Sequence, residues 1–94
     1  MISTERLQSF IRCIDNYMIS SGKSEINEME ANRELSAAGM LDDEVSSPGK
    51  PLRELLAELR DANRLPQNIS QRYGAWKIKL SRSLAKGETI FSFS

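Results

Sequence analysis

Ninety-four residues suffice for one modest hydrophobic core and not for two. With 39% apolar and 28% charged residues and a formal net charge of zero, the chain has the balance of an ordinary globular protein, and its overall charge singles out no partner. The single cysteine, Cys13, and the absence of histidine exclude an internal disulfide and a Cys-based zinc site. They also remove Ser-His and Cys-His nucleophiles and most transition-metal sites.

Near the N-terminus Glu5, Arg6 and Arg12 interrupt the apolar residues, so no signal-peptide pattern forms, and no run of about 18 apolar residues occurs anywhere. A cytoplasmic protein without a membrane span is expected. The charges are unevenly distributed. Residues 1–47 carry four bases against nine acids (−5), and residues 48–94 carry nine bases against four acids (+5). Such a chain either folds into a bipolar surface, with a basic side suited to phosphate, or interleaves its charges in space.

Leu7, Phe10, Ile11, Ile14, Tyr17 and Met18 recur at helical spacing and predict a first helix over about Ser3–Ser21. Ser3 or Thr4 caps its start and Gly22 its end; Cys13, at the edge of the stripe, reads as a packing residue. Lys23–Ile26 leaves room for a short extended piece only. Asn27 with Glu30 forms a capping box, Ser24 being the alternative cap, and opens a second helix to about Ala38 with Gly39 after it. Its apolar contacts are Met29, Ala31, Leu35, Ala38, Met40 and Leu41. Asp42–Lys50 reads as a solvated acidic loop, since its acids match no EF-hand spacing.

Pro51 suits a first helical position, and Leu52, Leu55, Leu56 and Leu59 define one buried stripe. Counting about 100° per residue, Arg53, Arg60 and Arg64 line one exposed strip beside Ala57, with Asp61 expected to pair with Arg64 and Glu58 with the hairpin lysines. Asn63-Arg64-Leu65-Pro66 then forces the chain out of helical geometry. Ile69, Gln71 and Tyr73 alternate, Gly74 permits a tight turn, and Trp76, Ile78 and Leu80 alternate with Lys77 and Lys79, which together predict a β-hairpin. Residues 1–86 are expected to form one domain. Residues 87–94, with Phe91 and Phe93, form either a terminal strand or a frayed tail.

The expected fold class is α+β, three helices followed by a hairpin. That order, the PLRELLAELRDANRLP helix and the hairpin with Trp76 resemble a winged helix-turn-helix domain over residues 3–80, although the connection at residues 41–50 is longer than a tight helix-turn-helix allows. The resemblance implies a third helix in the major groove and a hairpin on the backbone or minor groove of double-stranded DNA. Carried onto this chain, Arg53, Arg60 and Arg64 would face DNA, with Gln67, Gln71, Arg72, Lys77 and Lys79 near phosphates. No phosphate-binding glycine loop is present, and no catalytic constellation, cofactor or metal is expected. The reading is a small DNA-binding regulator or accessory protein, with a homodimer through the first helix suiting a palindromic site. The alternative is a protein-interaction adaptor that docks a partner through its acidic half or through Phe91 and Phe93.

Overall fold

A computed structural model describes residues 2–81; the expectation for residues 87–94 lies outside that range. The elements run α1 (Thr4–Ser21), β1 (Glu25–Asn27), α2 (Glu28–Ala37), α3 (Lys50–Asp61), β2 (Ile69–Arg72) and β3 (Ala75–Lys79). The protein is α+β, with three helices and a three-stranded antiparallel sheet of order β1-β3-β2.

Helix α1 begins where the Ser3 side chain accepts from the Arg6 backbone N–H at 3.2 Å. It ends at Gly22, whose φ of 70° lets Lys23 N–H return to Met18 O at 2.8 Å, closing two ends that would otherwise leave backbone groups unpaired. Asn27 caps α2 as expected, accepting from Glu30 N–H at 2.8 Å. Past α2, the left-handed Gly39 turns Met40 N–H back onto Leu35 O at 2.8 Å.

The segment read as a solvated acidic loop is internally tied. The Asp43 carboxylate accepts from Glu44 N–H (2.8 Å) and Gly49 N–H (2.9 Å), so one of its acids is spent on holding the turn that leads into α3. Helix α3 begins at Lys50, one residue before the expected Pro51, and it stops at Asp61 instead of continuing to Arg64. Asn63 adopts φ 60°, and Arg64 N–H donates to Leu59 O at 2.8 Å, which reverses the chain well ahead of Pro66.

Two further differences concern the sheet. The short extended piece is a true strand: β1 pairs with β3, Ile26 opposite Ile78, so the hairpin gains a third strand from a segment far away in sequence. Tyr73 lies in the turn and not in β2. Tyr73 and Gly74 have φ of 52° and 80°, both positive as a two-residue type I′ connection requires, with Arg72 opposite Ala75.

Every element contributes to one core: Phe10, Ile14 and Met18 from α1, Ile26 from β1, Ala31 and Leu35 from α2, Leu52, Leu56 and Leu59 from α3, and Ile69, Trp76 and Ile78 from the hairpin. Met29 and Ala38 stay exposed, whereas Met40 and Leu41 pack against the core. In β3 the buried Trp76 and Ile78 alternate with exposed Ala75, Lys77 and Lys79, so the sheet has a helix-covered inner face and an open outer one. Among the described residues no helix is long and apolar enough to cross a membrane.

Candidate nucleic-acid interface

The three arginines of the expected strip go to three different places. Arg53 stands on the flank of α3 toward α2, with Nη1 3.8 Å from Glu28 Oε1 and Nη2 donating to Ser47 Oγ at 3.3 Å. Arg60 lies 3.1 Å from Asp61 Oδ1, donates to Gln71 Oε1, and places its guanidinium 5.8 Å from the centre of the Trp76 ring. Arg64, carried off the helix by the turn at Asn63, donates to Ile2 O and Thr4 Oγ1, both at 3.4 Å. The expected partners also change: Asp61 meets Arg60, and Lys77 meets Glu25 at 4.0 Å. What α3 turns outward is Lys50, Glu54, Glu58, Arg60 and Asp61, with Lys50 held 3.9 Å from both Glu44 and Glu54. This face carries more acid than base.

The outer sheet face has the opposite balance. Side chains on one face of a sheet are set by strand register. With Ser70 opposite Lys77 and Arg72 opposite Ala75 on one side, and Glu25 opposite Lys79 and Asn27 opposite Lys77 on the other, three bases and one acid share a single exposed surface. Two depressions run along it. One, of about 340 Å³, is lined by Glu25, Ser70, Gln71, Arg72, Lys77 and Lys79. The other, of about 570 Å³, is lined by Ser24, Glu25, Gln67, Asn68, Ser70, Lys79 and Leu80. Glu25, Ser70 and Lys79 line both, which makes them one trough.

Arg72, Lys77 and Lys79 are therefore brought together, with Gln67 at one end of the trough; Gln71 borders it but stands opposite Trp76 and accepts from Arg60, and Arg53, Arg60 and Arg64 are not part of the trough. Among the described residues neither Arg72 nor Lys79 forms an ion pair, and Tyr73, at the turn beside Arg72, is 100% exposed. Sequence reasoning finds none of Glu25, Ser70, Tyr73 and Asn68. The piece holding Glu25 is too short to show alternation, Ser70 carries no charge, and Tyr73 reads as the last alternating residue at the turn. Asn68, buried and donating to Lys79 O at 3.0 Å, offers no periodic signal at all.

Polar side chains elsewhere serve the fold. The half-buried Cys13 thiol has its pKa raised by burial and then by Glu34, so it remains protonated at neutral pH. Asp15 is buried on α1 and accepts from Ser81 N–H at 3.0 Å and from the Ser81 hydroxyl. Between α1 and α2 the Tyr17 hydroxyl donates to Glu30, which also binds Lys23, while Arg33 donates to the Tyr17 oxygen at 3.3 Å. The hydrogen bonds from Lys23 and Tyr17 lower the Glu30 pKa, and the bond to Glu30 raises that of Lys23. No group of three or more Cys, Asp or Glu among the described residues is arranged to hold a metal ion. Comparison with protein-family models, with curated proteins and with solved structures gave no match to this chain.

Proposed function

We propose that this is a small double-stranded-DNA-binding protein, a regulator or accessory factor, that meets the duplex mainly through the outer face of its sheet and the tip of its hairpin. The observation that carries this reading is the trough bearing Arg72, Lys77 and Lys79 beside the fully exposed Tyr73. A phosphate backbone is recognised by cations that are free to approach it, with hydroxyl and amide donors fixing position. Ser70 and Gln67 supply such donors. The order α1-β1-α2-α3-β2-β3 supports a winged-helix arrangement by analogy of fold. The acidic outward face of α3 is poorly suited to a phosphate-lined groove, so affinity comes chiefly from phosphate neutralisation and sequence discrimination is modest. The single cysteine, which can form no internal disulfide, fits a reducing compartment, and the cytoplasm is the proposed location.

A rival reading, a protein-interaction adaptor without nucleic-acid binding, draws support from the same acidic α3 face, which suits a basic partner. Fluorescence anisotropy with a random-sequence duplex separates the two. If the three trough cations each neutralise one phosphate, the salt slope is about −2.7, and raising salt from about 50 to about 200 mM weakens binding roughly 40-fold. The triple variant Arg72→Ala, Lys77→Ala, Lys79→Ala should lose this salt-sensitive binding. Absence of salt-dependent binding by the unmodified protein defeats the DNA reading and leaves the adaptor.

A further inference from the structure

We infer that Glu25 acts as the trough's internal carboxylate competitor, occupying Lys77 when no phosphate is bound and so setting how tightly this face holds phosphate anions. This inference rests on the reading of the outer sheet face as a phosphate-binding surface. Among the described residues Glu25 is the one acid on that face. It lines both depressions, stands opposite Lys79 in the β1 and β3 pairing, and lies 4.0 Å from Lys77 Nζ on the diagonal.

Its side chain is 42% exposed and that of Lys77 47%. An exposed pair of this kind is weak and exchangeable, so an arriving phosphate can displace the carboxylate, but it must do so against a fixed negative charge at the meeting point of the two depressions. Like-charge placement of this sort lowers affinity and screens out weakly charged ligands without altering the shape of the site. With Glu25 the face sums to +2, and without it to +3, counted from Arg72, Lys77 and Lys79. The neutral isostere Glu25→Gln keeps the strand and removes only the charge.

Two titrations test the inference: anisotropy with a random duplex, and inorganic pyrophosphate followed through the backbone amide resonances of β2 and β3. Glu54→Gln, which removes an equal charge from the outward face of α3, is the control. Glu25→Gln is expected to tighten both ligands by about 3- to 10-fold at low salt, while Glu54→Gln changes each by less than about 2-fold. Equal effects from the two variants would reduce Glu25 to a contributor of net charge and overturn the inference. Unchanged affinity in Glu25→Gln, in a protein whose duplex binding is lost in the triple variant, would overturn it while leaving the DNA reading intact. If pyrophosphate binds and tightens in Glu25→Gln but no duplex binds, the DNA reading falls and Glu25 keeps its role; if neither ligand binds either protein, both fall.

Discussion

Asn32 spends its whole side chain on the backbone of other elements. It is 0% exposed, its Oδ1 accepts from Leu52 N–H at 2.9 Å, and its Nδ2 reaches Leu41 O and Asp42 O at 3.5 and 3.4 Å. Gly49 offers no side chain to cap α3, so a residue of α2 satisfies one of its orphan N–H groups instead. Replacing Asn32 by Leu should therefore cost about 2–3 kcal/mol, because buried polar groups lose their partner; urea denaturation measures it. Glu30 gives a milder, pH-dependent effect. Its folded pKa lies below the ordinary 4.5, so the stability it contributes is complete above that value and is lost as pH falls through the depressed pKa. Half-exposed Lys23 is its main partner, so solvent screening keeps the contribution small. The stability difference between the unmodified protein and Glu30→Gln should be present at pH 7 and should vanish near pH 2. The buried polar roles of Asn32 and Asp15 are not readable from sequence: both sit on amphipathic helices among residues that look solvent-facing, and only the approach of α3 and Ser81 buries them.

Among the elements, α3 is the one whose start is most tightly specified. Gly49 has φ 85°, and a Cβ there would stand 2.9 Å from Met29 Cγ and 3.0 Å from its Cα, so both backbone strain and a backbone clash oppose any side chain. Gly22 also has a positive φ, 70°, but nothing lies within 4 Å of its would-be Cβ. Gly22→Ala should cost about 1 kcal/mol, the strain alone, and Gly49→Ala at least about 2 kcal/mol, compared by thermal or chemical unfolding. The two longer runs of helical periodicity, in α1 and α3, and the alternation in β3 made these elements legible, because burial of one face repeats along each. The end of α3 was not, since Asp61, Ala62, Asn63 and Arg64 all tolerate a helix and the left-handed turn at Asn63 carries no fixed signature. β1 was missed as a strand because three residues are too few to show alternation and their partner, β3, lies some fifty residues away.

At the level of the whole molecule, the −5 and +5 halves of the sequence do not map onto two clean sides. Helix α3, from the basic half, presents Glu54, Glu58 and Asp61 outward, and β1, from the acidic half, joins the basic sheet. Of the eight residues expected at a nucleic-acid surface, Arg72, Lys77 and Lys79 share the outer face because the strand register collects them, and Gln67 and Gln71 line its edges. The arginine row dissolves because the left-handed turn at Asn63 takes Arg64 off the helix, and because helix periodicity fixes direction from the axis but not which neighbour a long side chain meets. Charge-matched double variants weigh these two surfaces directly in duplex titrations at about 50 mM salt. Arg72→Ala with Lys79→Ala should weaken binding at least about 10-fold, and Arg53→Ala with Arg60→Ala by less than about 3-fold, the two lost phosphate contacts making the difference. Equal losses, or a larger loss from the helix pair, would contradict a sheet-borne interface.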